Sequence, residues 1–356
     1  MNDLHYAVVV GINRYPAIGD LQAARGDAVR FRDWLVDPKG GDVPEGNVTL
    51  VTATEEQERT ADFMTAVPTR ENVDLALYRT NTAVQRAIED RPEEEWEAAR
   101  QRTRLYFFLA GHGFMTPPNS TALLMANAAF DLLGNHLAVG QYLDWYESSS
   151  PFREIVCFAD CCRTSNGNGS VFPFGPPFTT TVGALEKVDC FVGYATSQGD
   201  PAYEEQNADP DLARGHFTTA LLDGLGGRSV TRKGLITSDS LADYVVRHVE
   251  DRTRHLLVPQ QPRFVKGSAP MVFVRDVENG MPFVTLCFPE GFRGWVQLRG
   301  GDPDEPPLRW HVDAAEHVEK LAPGLYRVTP ESWAADDFQN GGFFEVMTGG
   351  GNGVQL

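Results

Sequence analysis

The sequence predicts an α/β protein with a mostly parallel six-stranded sheet, helices on both faces of that sheet, and a small all-β domain at the C-terminal end. Strand-length apolar runs alternate with amphipathic segments at helical spacing through most of the chain. Such alternation is typical of parallel sheets that are covered by helices on both sides. After about residue 277 the alternation stops, and short apolar runs are separated by Gly, Pro and Asp clusters.

The predicted strands are runs rich in Val, Ile, Leu and Phe, which suit strands that are buried on both faces. They cover residues 5–12, 47–52, 104–111, 153–160, 188–196 and 269–274. Apolar residues at helical spacing predict helices over residues 20–36, 69–88, 216–225 and 238–253. Asp20 is the expected N-cap of the first helix, and Thr69 gives the second helix a capping-box start.

The C-terminal region, residues 278–356, is predicted to form a sandwich-like accessory domain that is separate from a peptidase-sized domain over residues 1–277. Its strand-like runs, such as FVTLCF, GWVQLR and GLYRV, are short and are bounded by turn-forming residues. One short helix is expected at AAEHVEK, residues 314–320. No segment of this region carries a recognisable pattern of catalytic residues.

Charge and apolar content exclude several classes of protein. Acidic residues number 49 against 31 basic ones, and the resulting net charge of -18 argues against a nucleic-acid or an anionic membrane partner. No apolar run approaches the length of a membrane-spanning helix, and no basic segment precedes the apolar stretch near the N-terminus. We therefore expect a cytoplasmic protein with no nucleic acid and no membrane as partner.

The five cysteines, at positions 157, 161, 162, 190 and 287, match no zinc-site spacing. A disulfide between Cys161 and Cys162 would join Cα atoms about 3.8 Å apart, which is closer than disulfides tolerate. Proteins of the cytoplasm also rarely keep disulfides. The sequence therefore predicts free thiols, no metal site and no cofactor.

Chemically active residues follow the ends of two predicted strands. His112 stands between two glycines after the third strand, and Asp160, Cys161 and Cys162 follow in a row at the end of the fourth. In open parallel sheets, ligands bind outside the carboxyl ends of the strands. A cysteine and a histidine at such ends are the ingredients of a thiol nucleophile with its general base. The glycines allow main-chain N–H groups to approach a developing oxyanion.

These segments resemble the caspase-like cysteine peptidases, and within them the metacaspase-like bacterial branch. YFFLAGHG is similar to the family's strand with Gly-His-Gly, and IVCFADCCRTS is similar to its strand with Asp-x-Cys. His112 and Cys162 are 50 residues apart, which agrees with the spacing of about 50 in this family. AVVVGINRYP, LQAARGDA, YATSQGDPAYE and PQQPRF follow in the family's order, so the resemblance covers roughly residues 5–275. It implies a caspase-like three-layer fold and hydrolysis of peptide bonds.

The resemblance implies that Cys162 is the nucleophile and that His112 activates the thiol and protonates the leaving amine. The backbone N–H groups of Gly113 and Cys162 are the expected oxyanion hole. Alternation along an extended strand puts Cys162 on the same side as Asp160, whereas Cys161 faces the opposite side. Cys161 is therefore expected to pack in the interior.

Specificity is inferred from two carboxylates. Metacaspase-like enzymes build an acidic pocket from the aspartate two residues before the nucleophile and from another after the first strand, and the matching residues are Asp160 and Asp27. Two carboxylates in one pocket select Arg or Lys through charge-assisted hydrogen bonds. The resemblance thus implies an endopeptidase that cleaves protein substrates after Arg or Lys, in a regulated stress or defence pathway.

Some features depart from the family pattern. Ala110 stands where the family usually has a small hydroxyl residue, and Arg163 stands where metacaspases commonly have histidine. The loop after His112, FMTPPNSTALLM, lacks the acidic cluster that makes some relatives calcium-dependent. A second acidic cluster is predicted to be a solvated loop rather than a calcium site. It consists of Glu204, Glu205, Asp209 and Asp211.

Activation and rival functions remain open at this stage. A zymogen is expected. The candidate basic cut sites are few, namely Lys187 and Arg214, so control by a protein partner is favoured over obligatory self-cleavage. The C-terminal β domain is the candidate docking module for such a regulatory partner. The alternative function is a catalytically silent caspase-like scaffold that binds basic peptides. A nucleotide-binding domain is disfavoured, because VVVGINRYPAIGD lacks the Gly-x-Gly-x-x-Gly spacing.

Overall fold

The protein is represented by a computed structural model with two compact units. It describes residues 2–116, 120–165, 174–179, 188–205, 207, 209, 212–231, 233–275, 277, 283–300, 306–321, 324–331, 338–346 and 353–356. The units are Met1–Leu222 with Ala242–Met271, and Asp223–Leu241 with Val272–Leu356. The predicted boundary between residues 277 and 278 stays a prediction. Within the described ranges, no helix has the length and apolar content needed to cross a bilayer.

The strands are numbered in chain order. They are β1 (His5–Gly11), β2 (Val48–Val51), β3 (Arg104–Ala110), β4 (Gly113–Thr116), β5 (Ser120–Leu124), β6 (His136–Ala138), β7 (Glu154–Asp160), β8 (Asp189–Tyr194), β9 (Glu204–Glu205), β10 (Arg214–Gly215), β11 (Ile236–Thr237), β12 (Arg263–Val265), β13 (Val272–Val274), β14 (Phe283–Cys287), β15 (Gly294–Gly300), β16 (Leu308–Val312), β17 (Glu316–Lys320), β18 (Gly324–Pro330), β19 (Phe343–Val346) and β20 (Gly353–Gln355). The α-helices are α1 (Ala24–Val36), α2 (Arg70–Glu89), α3 (Trp96–Arg100), α4 (Val139–Ser149), α5 (His216–Asp223) and α6 (Ser238–Thr253).

The main sheet has the strand order β12-β8-β7-β3-β1-β2. All neighbouring pairs are parallel except β12 with β8. Strands β1, β3 and β7 are buried over nearly their whole length, as expected for central strands that helices cover on both faces. The predicted mostly parallel six-stranded sheet and the caspase-like α/β class are confirmed.

The predicted sixth strand was placed in the wrong sheet. Within residues 269–274, β13 forms and pairs with β11 in a separate two-stranded sheet. The edge of the main sheet is instead β12, which pairs antiparallel with residues 192–194 of β8. Strand propensity explains why the apolar run is extended, but propensity does not select the partner strand. The three residues of β12 are too few to give a periodic signal in the sequence.

Helix α1 begins later than predicted, and the two amides just before it bind a distant carboxylate. The N–H groups of Gln22 and Ala23 donate to Glu204, whereas the predicted cap, Asp20, accepts from the N–H of Tyr15. The start of α2 follows the prediction. The side chain of Thr69 and the residue three positions on form a capping box.

The segment after His112 was expected to be a loop, but it forms a small three-stranded sheet of β4, β5 and β6. This sheet is connected to the chain that follows the adjacent cysteines. The N–H of Met115 in β4 donates to the carbonyl of Thr164 over 3.0 Å. These strands are hard to predict, because Pro and Asn interrupt the apolar residues of the segment.

The C-terminal strands form two sheets, β17-β14-β20 and β16-β15-β18-β19. Their inward side chains, among them Leu286, Leu298 and Val328, belong to one apolar cluster. The helix predicted over residues 314–320 is wrong, because Glu316–Lys320 is β17 and pairs with β14 over its whole length. Helix propensity is a weak preference, and a full ladder of hydrogen bonds with a neighbouring strand overrides it.

Candidate active site

The ends of the central strands bring the predicted site residues to one edge of the main sheet. The strand registers align Gly11 with Ala110 and Ala110 with Asp160, so β1, β3 and β7 end at the same level. His112 stands two residues after Ala110, and Cys162 stands two residues after Asp160. A cleft of about 140 Å³ opens at this edge. Its lining includes Asp27, His112, Asp160 and Cys162.

His112 is held through its main chain and through its ring. Its N–H donates to the hydroxyl of Tyr15 over 3.0 Å, and its carbonyl accepts from the N–H of Leu124 over 2.8 Å. Ring atom Nε2 lies 2.9 Å from the carbonyl oxygen of Gly19. Because a carbonyl only accepts, Nε2 carries the proton of the neutral ring, and Nδ1 keeps the lone pair. Burial lowers the pKa of His112, opposed by the Gly19 carbonyl and nearby carboxylates, so the ring is neutral at pH 7.

The thiol of Cys162 lies against the backbone of Ala202. The N–H of Ala202 donates to Sγ over 3.3 Å, and Sγ lies 3.5 Å from the carbonyl oxygen of the same residue. Burial raises the pKa of Cys162, the Ala202 contact opposes this rise, and the charge of Asp160 adds to it. The structure describes both Cys162 and His112, and among the described residues no hydrogen bond joins Sγ of Cys162 to the ring of His112. Burial thus disfavours the charged forms of both groups, the thiolate and the imidazolium.

Cys161 has a different environment from its neighbour. It is 2% exposed and belongs to the apolar core, so its predicted packing in the interior is confirmed. The chain at Gly113 runs directly against the two cysteines. A Cβ added at Gly113 would lie 2.6 Å from the carbonyl oxygen of Cys162 and 2.7 Å from Sγ of Cys161. A glycine is therefore needed there for close backbone approach. The role of Gly113 and Cys162 as oxyanion donors stays a prediction.

The two predicted specificity carboxylates face the same glycine. A Cβ added at Gly215 would lie 2.6 Å from Oδ2 of Asp160 and 2.8 Å from Oδ2 of Asp27. The absence of a side chain at Gly215 thus leaves the space between the two carboxylates free. The N–H of Gly215 also donates to Oδ2 of Asp27 over 2.9 Å.

Each carboxylate also has a side-chain partner inside the protein. Arg30, one turn further along α1, forms an ion pair with Asp27, and Thr218 donates its hydroxyl to Asp160 over 2.6 Å. Burial, with the charge of Asp160, raises the pKa of Asp27 to about 7, and Arg30 opposes this rise. Burial raises the pKa of Asp160 to about 6, and the hydrogen bonds from Thr218 oppose it.

Glu204 is a cleft residue that the sequence did not reveal. Its carboxylate accepts from the N–H of Gln22 (3.1 Å) and of Ala23 (2.9 Å) at the N-terminus of α1, where the helix dipole favours negative charge. It also lines the cleft. The prediction of a solvated loop is wrong for Glu204, although Glu205 is exposed. The reason is the pairing of β9 with β10, which places Glu204 opposite Gly215. Strands of two residues give no recognisable pattern in a sequence, so this pairing could not be predicted.

The remaining sequence-based expectations concern metal, regulation and the residue after Cys162. Among the residues that the structure describes, no group of three or more His, Cys, Asp or Glu is arranged to hold a metal ion. Arg163 is buried, and its guanidinium stacks over the ring of Tyr194 at 4.3 Å. Arg214 lies in β10. The other candidate cut site, Lys187, and the acidic residue Asp211 lie outside the described residues.

The chain is similar to a known family and to several known proteins. A family model described as "Caspase domain" matches residues 4–268. A "probable protease" from a Desulfuromonadales bacterium is 29% identical over 253 residues, which is 68% of this chain, and the chain spans 28% of that relative's length. A solved Geobacter sulfurreducens protein aligns with 77% of this chain and 98% of its own, at 14% identity and a TM-score of 0.42. The structure of pro-sf-caspase-1 aligns with 74% of this chain and 88% of its own, at 12% identity and a TM-score of 0.41.

TM-scores of this size carry no argument, so the assignment rests on the family model. That model covers most of the chain, including β1, the main sheet and every residue of the cleft. The chain therefore belongs to the caspase domain family of peptidases.

Proposed function

We propose that this chain is a cysteine endopeptidase that cleaves protein substrates after Arg or Lys, with Cys162 as nucleophile and His112 as its base and acid. The observation that carries this proposal is the cleft, where a thiol, an imidazole and two aspartates stand together at the carboxyl ends of parallel strands. Membership of the family supports hydrolysis of peptide bonds. By analogy with the family, the setting is a regulated stress or defence pathway in the cytoplasm, with the C-terminal β domain docking a regulatory partner.

In the proposed reaction, Nδ1 of His112 takes the thiol proton of Cys162 while Sγ attacks the carbonyl carbon of the scissile bond. The carbonyl oxygen becomes an oxyanion, and the N–H groups of Gly113 and Cys162 are its proposed donors. The C–N bond then breaks, the proton on Nδ1 passes to the leaving amine, and a thioester remains. Water hydrolyses the thioester and returns the thiol. The contact of Nε2 with Gly19 favours Nδ1 as the reacting nitrogen.

The contacts of the thiol with Ala202 support the expected regulation. A substrate carbonyl has to approach Sγ of Cys162, and the backbone of Ala202 already lies against that atom. Substrate binding, or a regulatory partner, would displace this segment before the thiol reacts. An enzyme arranged in this way has low activity until the segment moves, which is the behaviour expected of a zymogen.

The acidic end of the cleft supports the basic specificity. Asp27 and Asp160 face each other across Gly215, and Glu204 adds a third carboxylate to the lining. A guanidinium donates bidentate, charge-assisted hydrogen bonds to such groups, and an ammonium binds them as a point charge. An aspartate side chain in the same place would be repelled.

A panel of fluorogenic peptides with Arg, Lys, Asp or Leu before the cleaved bond tests the proposal. We expect hydrolysis of the Arg and Lys peptides only, and a loss of at least about 10³-fold in Cys162→Ala. The matched control is Cys287→Ala, which removes a free thiol of the C-terminal unit and should leave the rate unchanged. Cleavage after Asp alone, or unchanged cleavage by Cys162→Ala, would contradict the proposal.

The environment of the thiol favours the silent scaffold as a second candidate. Sγ of Cys162 already accepts a hydrogen bond from the N–H of Ala202, and burial raises the pKa of the thiol. A chloromethylketone that carries an arginine separates the two functions. An active peptidase incorporates one equivalent of reagent, and Cys162→Ala incorporates none. A scaffold would bind basic peptides reversibly, and its thiol would stay unlabelled.

A further inference from the structure

Tyr15 is a fully buried polar side chain that contacts His112, and the proposed reaction gives it no role. Its side chain is 0% exposed. The hydroxyl accepts the N–H of His112 over 3.0 Å and donates to the carbonyl of Leu124 over 3.0 Å. The hydroxyl thus accepts one hydrogen bond through a lone pair and donates its single proton, and both partners are backbone groups of the β3–β5 region. The ring packs edge-on against the imidazole, with centroids 4.7 Å apart.

The main chain of Tyr15 organises the group that bonds to the ring of His112. The carbonyl of Tyr15 accepts from the N–H groups of Ile18 (3.1 Å) and Gly19 (2.9 Å), which closes a tight turn. Gly19 has a φ of +128°, a conformation that L side chains rarely adopt. This turn presents the carbonyl of Gly19 to Nε2 of His112. One residue therefore contacts the amide and the ring face of His112 and also orders the partner of its ring nitrogen.

The glycine before the histidine fits the same arrangement. A Cβ added at Gly111 would overlap the hydroxyl oxygen of Tyr15 and would lie 3.1 Å from Cδ1 of Leu123. The hydroxyl reaches the main chain of His112 only because this position has no side chain. The Gly-His pair at the end of β3 is thus shaped to receive a side chain from the loop after β1.

We propose that Tyr15 is a positioning residue for His112, fixing the imidazole in the tautomer that carries its proton on Nε2 and leaves Nδ1 free to accept the thiol proton. This inference rests on the proposed role of His112 as the base. The hydroxyl holds the main chain, the ring limits rotation of the imidazole, and the turn supplies the acceptor for Nε2–H. Removing the hydroxyl leaves the N–H of His112 and the carbonyl of Leu124 without their partner in a buried place.

The test compares Tyr15→Phe with Tyr146→Phe in the full chain. Tyr146 is also fully buried, and its hydroxyl donates to Asn81 over 3.1 Å, away from the cleft. Both variants should lower the Tm by a few degrees. Only Tyr15→Phe should lower kcat on an Arg peptide, by about 10- to 100-fold with KM within about twofold, because small misplacements of a reacting group cost rates of this size. Equal kcat losses in the two variants would overturn the proposal.

A second measurement does not depend on turnover. Long-range proton–nitrogen correlation spectra of histidine-labelled protein distinguish the two neutral tautomers, and loss of one signal in His112→Gln identifies His112 among the 8 histidines. We expect the Nε2–H form in the wild type and a mixture in Tyr15→Phe. A wild-type ring protonated on Nδ1 would overturn the proposal. Failure of the proposed function would appear differently, as absent cleavage with an intact Nε2–H signal.

Discussion

The two ends of the cleft differ in the partners that the fold gives to their ionisable groups. At the acidic end, Asp27 and Asp160 have donors built into the fold, namely Arg30, the N–H of Gly215 and the hydroxyl of Thr218. At the other end, among the residues that the structure describes, Cys162 has the backbone of Ala202 as the hydrogen-bond partner of its thiol. Burial raises the pKa of the thiol and lowers the pKa of the His112 imidazole, so burial disfavours the charged form of both groups.

The difference matches two kinds of task. In the proposed function the acidic end binds a cation, and its fixed donors offset part of the cost of holding negative charge in a buried place. A thiol and its base need charge only while the proton moves. We therefore propose that the acidic end serves recognition and that the thiol end serves the reaction. The following predictions test this division from the largest expected effect to the smallest.

Gly215→Ala should have the largest effect on the acidic end. The new Cβ would lie 2.6 Å from Oδ2 of Asp160 and 2.8 Å from Oδ2 of Asp27, in the space that a basic side chain is proposed to enter. We expect kcat/KM for an Arg peptide to fall by about 100-fold, mainly through KM, because one methyl fills the subsite and displaces both carboxylates. Steady-state kinetics with Arg and Lys peptides measure this.

The matched control for that variant is Gly46→Ala. A Cβ at Gly46 meets nothing within 4 Å, so both its activity and its Tm should stay close to those of the wild type. If Gly215→Ala cleaves Arg peptides with an unchanged KM, the space between the two carboxylates is not the site of the basic side chain. In that case the specificity would have to come from another part of the cleft, and Glu204 would be the first residue to test.

The pH dependence of binding and of stability gives the intermediate effect. The pKa of Asp27 is raised from 3.8 to about 7 and that of Asp160 from 3.8 to about 6. In the folded protein these two carboxyls hold protons that the unfolded chain releases, so their contribution to the free energy of unfolding should fall as pH rises from about 4 to about 7. Over the upper part of that range, binding of Arg peptides should strengthen, since ionised carboxylates attract the guanidinium.

Asp27→Asn separates these two consequences. The variant should lose about tenfold in kcat/KM at pH 7 through a higher KM, and it should flatten the fall of Tm between pH 4 and pH 7. Asp33→Asn, an exposed aspartate of the same helix, serves as the control and should change neither. A Tm that changes with pH in Asp27→Asn as it does in the wild type would contradict the raised pKa of Asp27 and the burial that causes it.

The parts of this cleft that could be predicted are those that follow an apolar strand long enough to be recognised in the sequence. His112, Asp160 and Cys162 follow apolar strands, so the sequence places them at strand ends, and the parallel register of β3 with β7 brings those ends together. Asp27 could be assigned only through the family resemblance, since it lies inside a helix whose orientation no local pattern fixes.

The contributions of Glu204 and Gly215 could not be predicted from the sequence. They depend on the pairing of two-residue strands, β9 and β10, which give no periodic signal. The same limit explains the edge strand β12 and the misassigned run at residues 269–274. The contact of Tyr15 with His112 joins residues 97 positions apart, and a lone tyrosine in a loop carries no sign of its partner. Local patterns therefore revealed the reacting groups but not the residues that surround them.

The smallest predicted effect on activity is that of Cys161→Ala, next to the proposed nucleophile. Cys161→Ala removes a sulfur from the apolar core, which should cost about 1 kcal/mol of stability and leave kcat/KM within about twofold of the wild type. Cys162→Ala should do the opposite, because its half-buried side chain contributes little packing while its thiol is the proposed nucleophile. Thermal unfolding and peptide hydrolysis, measured on both variants, check this reversal. Loss of activity in Cys161→Ala with retention in Cys162→Ala would contradict the proposal and assign the nucleophile to the core, where burial raises the pKa of the thiol well above its ordinary value.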